Sequence, residues 1–256
     1  MRVLVCLKQV CEPQSQFDLD GAGLRLRGPA RYKLAAYDEY ALELGLRLRD
    51  AQPGLAVWAV TVGPARAAAV LQRARGMGAD RAWRLLAPEE PAPRPGLLAA
   101  WLAAWAKAQG FDLILTGVMS EDAQQGLVGP MLAARLDIPW ATGAVGLTLA
   151  TGGGAVKVER EMEGNQRQSL ELPLPALVSV QSSPQQPRYP SLSNLLKAKQ
   201  EPATSLDVAD LAAPAATEQI TGLGLPRRRR AGLVLTGSRT EQAARLAGIL
   251  RERALL

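Results

Sequence analysis

Phe111-Asp-Leu-Ile-Leu-Thr116 is a short apolar run, and the chain leaves it through Gly117-Val118-Met119-Ser120-Glu121-Asp122-Ala123-Gln124-Gln125-Gly126-Leu127-Val128 to Gly129. Apolar residues without polar alternation describe a strand buried on both faces, as in a parallel sheet. The polar joint then opens a helix that ends near Leu136. One strand, one loop and one helix in this order form the unit from which open α/β sheets are assembled.

The same unit repeats toward the N-terminus. Leu97 to Gln109 is an Ala-, Leu- and Trp-rich helix stopped by Gly110, and Arg81 to Leu86 is a strand followed by a loop from Pro88 to Pro95. Leu55-Ala-Val-Trp-Ala-Val-Thr-Val62 is another buried strand. Gly63-Pro64 turns it into a helix whose core face is Val70, Leu71 and Ala74. Pro64 suits a first helical position and Gly76 an end. Arg2-Val-Leu-Val-Cys-Leu7 is the opening strand. A polar excursion through Gly21 and Gly28 separates it from a helix marked by Tyr37, Ala41, Leu44 and Leu48. Strands alternating with helices over short joints predict an α/β fold, a parallel twisted sheet flanked by helices with right-handed crossovers.

From about Ala144 the rhythm changes. Ala155 to Met162 and Gln168 to Leu172 alternate with period two around Glu163-Gly164-Asn165, which predicts a small antiparallel hairpin with one wet face. Leu174 to Val180 is a last apolar strand. Beyond it the chain is rich in Pro, Ser and Lys through Pro202, with little core material before Ala231-Gly-Leu-Val-Leu235. An amphipathic helix from about Thr240 to Arg253 closes it, with Ser238 or Thr240 as cap. The expected division is an α/β domain at 1–182 and, at 183–256, a docking loop and extended C-terminal arm that pack on a partner.

Composition narrows the chemistry. The chain has no histidine, which removes the commonest general base, the commonest metal ligand and every His-assisted nucleophile. No catalytic residue and no metal site is expected. Cys6 and Cys11 lack C-x-x-C spacing and form no disulfide framework, which favours a reducing compartment. With neither a signal peptide nor a span of about 20 apolar residues, the cytoplasm is the expected location. The net charge of +6 raises nucleic acid as a ligand. The one dense basic run, Arg227 to Arg230, comes without a reading motif or a stacking platform, so no nucleic-acid partner is expected. Glu159, Glu161 and Glu163 alternate as on a solvated strand face.

The loop from Gly117 is the best site candidate. It leaves the C-terminal end of a parallel strand, where open α/β sheets bind ligands, and enters a helix whose first N–H groups suit a phosphate. Gly117, Gly126 and Gly129 permit close backbone approach, and Ser120, Gln124 and Gln125 supply neutral donors. Neither a Walker lysine nor Gly-x-Gly-x-x-Gly is present. A plain strand-to-helix joint is the competing reading.

Several stretches, in order, resemble the beta subunit of electron-transfer flavoproteins. They are Val3 to Lys8, Tyr37-Asp-Glu-Tyr-Ala-Leu-Glu43, Val62-Gly-Pro64, Gly76-Met-Gly-Ala-Asp80 and Leu115-Thr-Gly117 with its loop. Val158 to Gly164, Leu174-Pro175, Pro187-Arg-Tyr-Pro-Ser-Leu192 and Lys197-Ala-Lys199 complete the set. The resemblance implies a Rossmann-like, adenine-nucleotide-binding domain and an arm embracing the larger alpha subunit. It implies an electron carrier, not an enzyme. FAD, held mainly by the alpha subunit, takes electrons from dehydrogenases and passes them to a membrane quinone oxidoreductase or another acceptor. AMP, or a second FAD in some relatives, would lie in the beta subunit against Cys6, Ala35, Ala36, Tyr37, Asp38, Val62 and the loop Gly117 to Val128. Tyr37 matches an aromatic that approaches the flavin, and Leu192 the anchor that docks into dehydrogenases. The family usually has Asn-Pro where this chain has Ala35-Ala36. The loop lacks the aspartate run of the AMP-binding type, and Val128-Gly-Pro130 resembles the other branch, so AMP and a second FAD both stay open. A nucleotide-cleaving enzyme of the same fold would want a Ser/Gly phosphate loop where this chain has Lys8-Gln-Val-Cys-Glu-Pro13. A nucleotide-binding scaffold would self-associate without a long arm.

Overall fold

The computed structural model describes residues 1–12, 16–20, 23–27, 30–89, 92–212, 218, 219, 221 and 232–255. The basic run 227–230 lies outside the described residues. The opening strand β1 spans Arg2–Leu7, and all but its first residue are buried. What the sequence presents as a polar excursion is folded: β2 (Gln9–Cys11) pairs with β5 (Tyr32–Leu34), and β3 (Gln16–Asp20) with β4 (Gly23–Arg27). Strands this short carry no readable apolar run.

Helix α1 (Ala36–Ala51) follows, with Asp38 and Glu39 in its first turn and Arg49 in its last, signs that suit the helix dipole. Next come β6 (Ala56–Gly63), a 3₁₀ turn at Ala65–Ala67 and α2 (Ala68–Met77). Pro64 is the cap of that turn and not a first helical residue. Gly76 lies inside α2, and Gly78, at φ 121°, ends it. That backbone region is strained for residues bearing a Cβ, so the later glycine takes the cap. The chain continues through β7 (Arg81–Leu86), α3 (Pro95–Gln109), β8 (Leu113–Gly117) and α4 (Val128–Leu136).

A strand that the sequence reading did not anticipate, β9 (Trp140–Leu149), comes next. It carries the predicted antiparallel hairpin, β10 (Ala155–Met162) and β11 (Gln166–Pro173), on the edge of the main sheet. The chain then passes through β12 (Ala176–Val180), α5 (Leu192–Gln200) and β13 (Thr204–Asp207) to α6 (Arg239–Glu252). Ser238 and Glu241 form a reciprocal capping box at the head of α6. Gly232 to Leu235 forms no strand, and Leu233 and Val234 are exposed.

The main sheet has nine strands in the order β11-β10-β9-β12-β8-β1-β6-β7-β13. Every neighbouring pair from β9 to β13 is parallel, and only the β10 pairings are antiparallel. The α/β reading therefore holds. Two cores flank the sheet: Val3, Val5 and Leu7 face α1 and α2, while Leu4 and Cys6 face α3 and α4. Gly45 lets α1 settle on the strands, since a Cβ there would lie 3.3 Å from Leu115 and 3.4 Å from Val5. From β1 the chain steps outward to β6 and β7, then α3 carries it back across to β8 on the other side of β1. Right-handed crossovers put helices on opposite faces when the direction of winding reverses, which is why α1 and α2 share one face and α3 and α4 the other.

Candidate functional site

The reversal of winding lies between β1 and β8. In open α/β sheets the splayed loops beyond such strand ends form the ligand crevice. Here Asp38 bridges the ends of the two strands. Its Oδ2 accepts the backbone N–H of Lys8 at 2.7 Å, and its Oδ1 accepts that of Gly117 at 2.8 Å. One carboxylate on the first turn of α1 thus ties together the tips of both switch-point strands. Burial pushes the Asp38 carboxyl up to about 7, although the two N–H groups and the Lys8 charge pull the other way. Burial, and next the nearby Asp38 charge, pushes the Cys6 thiol far above its usual range, so this cysteine stays a protonated, unreactive core group.

The loop beyond Gly117 is anchored by charge. Lys8 Nζ lies 2.7 Å from Asp122 and 3.1 Å from the Ser120 hydroxyl, and Lys33 Nζ lies 2.7 Å from Glu121. Burial raises the Asp122 carboxyl, but the Lys8 and Ser120 hydrogen bonds outweigh it and hold the group below its ordinary range. Glu121 has a second task. Its other oxygen accepts the N–H of Ala36 at 3.2 Å, so a side chain already serves the head of α1. The head of α4 differs: Leu127 precedes it, with no side-chain cap hydrogen bond. Gly126 at φ 64° and Gln124 at φ 51° shape the turn that delivers the chain to that head. Gly129, in the first turn of α4, sits over the buried Thr116–Ser179 hydrogen bond. A Cβ there would lie 2.7 Å from the Ser179 hydroxyl, so only glycine lets α4 start so close to β8 and β12.

Most of the residues singled out in the sequence therefore meet. Ala35, Ala36, Tyr37 and Asp38 form the head of α1, and a Cβ on Gly117 would lie 2.9 Å from both the Asp38 nitrogen and the Tyr37 Cβ. Cys6 sits near the end of β1, and Val62 near the end of the adjoining β6. Val118 continues the pairing of its strand by donating to Val180. Met119 and Ser120 are half-buried, whereas Asp122, Ala123, Gln124, Gln125 and Leu127 are exposed on the outer loop. Lys8 and Lys33 were not anticipated as site residues. Their signal was a cation directly after the opening strand and another just before the α1 head, close to an acidic pair in the loop.

Leu192 belongs to a different place. It opens α5 and is 74% exposed, with Tyr189 at 90% and Leu196 at 53% beside it in sequence. The segment bearing them returns to the domain. Ser191 donates to the Gly76 carbonyl at 3.0 Å, and β13 pairs with β7 at the edge of the main sheet. Helix α6 buries no residue. Among the described residues no group of three or more His, Cys, Asp or Glu is placed to hold a metal ion, and no helix is long and apolar enough to cross a membrane.

The chain is similar in sequence to known proteins. Residues 27–211 match the model of the electron transfer flavoprotein domain. The chain is 33% identical over 261 residues to the electron transfer flavoprotein subunit beta of Bacillus subtilis, with 99% of each chain covered. It is 32% identical over 238 residues to the human protein of the same name, covering 91% of this chain and 92% of that one. The Methylophilus methylotrophus subunit beta is 26% identical over 98% of both.

Proposed function

The chain belongs to the electron transfer flavoprotein family, as a beta subunit, and from that premise we propose that it works as an electron carrier in a heterodimer and not as an enzyme on its own. The alpha subunit holds most of an FAD, which supplies reversible electron uptake when bound. A flavin-dependent dehydrogenase is the donor, and a membrane quinone oxidoreductase or a similar acceptor takes the electrons.

In the beta subunit an adenine nucleotide, AMP in preference to a second FAD, lies in the crevice between β1 and β8. The observation that carries this reading is the contrast between the two helix heads that border it. Glu121 serves α1, while the first N–H groups of α4 have no side-chain cap and follow a loop shaped by Gly126. A phosphate suits an N-terminus of that kind. Asp38 holds the floor, Lys8 and Lys33 hold the loop through Asp122 and Glu121, and Gln124 and Gln125 offer neutral donors. Tyr37, at the head of α1, faces toward the flavin side.

In this scheme the boundary falls at 182/183, although α5 and β13 beyond it pack back on the body. The body binds the nucleotide. The segment from 183 first presents Leu192 to the dehydrogenase and then reaches the alpha subunit with its last stretch, which includes α6.

The test is co-expression with the cognate alpha subunit. A yellow heterodimer is expected, and mass analysis of the denatured complex should release FAD together with AMP. Two FAD molecules per heterodimer would reassign the crevice to a flavin. A colourless, folded monomer that ignores the alpha subunit would sink the proposal.

A further inference from the structure

An exposed docking segment binds well only if it is ordered before its partner arrives, because ordering it at the moment of binding weakens affinity. The stretch that bears Tyr189 and Leu192 has few apolar contacts available to it, since both side chains point outward. At its N-terminal side it is held by one carboxylate. Glu43, on α1, has a side chain only 2% exposed, and three hydrogen bonds reach it from Arg188. The Arg188 backbone N–H donates to Oε2 at 3.0 Å, its Nε to the same oxygen at 2.9 Å, and its Nη2 to Oε1 at 3.1 Å. Arg47 adds a fourth bond, Nε to Oε1 at 2.9 Å. The guanidinium of Arg188 also reaches Asp50 at 2.8 Å.

A fork held on two oxygens fixes a plane, and the added backbone bond fixes the chain itself. The residue so fixed is next to Tyr189. On the other side, Ser191 is held by the Gly76 carbonyl, and Gly76 has no room for a Cβ against Pro190 and Leu195. The segment is thus pinned at both ends, with Tyr189 left outward between the pins and Leu192 after them.

We propose that Glu43 is a positioning residue for partner docking: through Arg188 it holds Tyr189 and Leu192 in the geometry that an electron donor recognises. The inference rests on the reading of Leu192 as a docking anchor and assigns its support. Three of the four donors on Glu43 come from Arg188, so the carboxylate serves the docking segment more than the body of the domain.

The experiment uses the complete heterodimer and a purified dehydrogenase of the same host that reduces the wild type. Glu43→Gln should raise the KM for that donor about tenfold, the loss expected when a few side chains must be ordered at binding, with kcat and flavin content near wild type. Amide hydrogen exchange over residues 188–195 should quicken in the same variant. Arg188→Lys keeps the charge and the backbone bond but loses the fork, and should give a smaller rise. Leu192→Ala is the control. If it leaves the KM unchanged, the docking reading fails and this proposal with it. If it raises the KM while Glu43→Gln and Arg188→Lys change neither the KM nor the exchange, docking stands and the positioning role is overturned. Loss of flavin from both ion-pair variants would also overturn it, by showing the pair to be general support for the fold.

Discussion

Asp38 Oδ1 accepts the Gly117 backbone N–H at 2.8 Å, so the side chain of one helix takes the place of a strand partner at the tip of a strand it does not belong to. The same carboxylate accepts from Lys8, and together these bonds set the spacing of the crevice floor. A buried acceptor with two backbone donors is a demanding position, because a substitute must satisfy both or leave a donor stranded at a cost of about 1–3 kcal/mol.

The first prediction concerns pH. Burial raises the Asp38 carboxyl to about 7 in the folded protein, above its unfolded value near 3.8. A group raised on folding binds its proton more tightly in the native state, so its contribution to stability is full in acid and declines as pH rises through this window. The loss is bounded by about 1.4 kcal/mol for each unit of displacement. Asp38→Asn should flatten this decline, and urea unfolding at several pH values between about 4 and 8 would measure it. An unchanged slope would remove Asp38 as its cause.

Gly117→Ala should be strongly disruptive. The new Cβ would lie 2.9 Å from the Asp38 nitrogen and from the Tyr37 Cβ, and would also press on Asp38 Oδ1. Overpacking of this sort costs about 1–3 kcal/mol, and here the strain falls on the crevice floor. Nucleotide content per heterodimer should fall further than flavin content. Equal retention of both would show that the nucleotide lies elsewhere.

Leu192→Ala should slow reduction by the donor dehydrogenase about tenfold or more, as expected when an apolar anchor is removed from the middle of an interface. The residue is 74% exposed, so the heterodimer should keep its flavin and its melting temperature. Flavin loss in this variant would refute the docking assignment.

Ser238→Ala removes one half of the α6 capping box, in which the Ser238 hydroxyl accepts from the Glu241 nitrogen at 3.3 Å and the Glu241 carboxylate returns to the Ser238 nitrogen at 2.7 Å. The loss should be about 0.5–2 kcal/mol of helix stability. Faster amide exchange in the first turn of α6, with no change in the sheet, is the expected readout.

How much of this was legible in the sequence depends on how each element is buried. β1, β6, β8 and β12 are covered on both faces and read as apolar runs. β13 is an edge strand with three exposed residues in four, and no run marks it. β9 was hidden by Gly143 and Gly146, which interrupt its apolar rhythm although seven of its ten residues pair with β10 or β12. The acidic loop after β8 was legible as a site because it leaves a strand tip. The bridge from Asp38 was not, since sequence alone does not show that residues 38 and 117 are neighbours. Glu43 was masked in a similar way: set among Leu42, Leu44 and Leu46 it reads as one more charged residue of the helix, and its partner lies 145 positions away.

The central place of β1 bears on how the chain is made. Arg2–Leu7 leaves the ribosome well before its two flanking partners, residues 56–63 and 113–117. Until the later of these emerges, one edge of this largely apolar strand stays without a hydrogen-bonding neighbour. Nascent chains stalled short of Gly117 should therefore engage holding chaperones, and release should follow once β8 slots in beside the waiting strand.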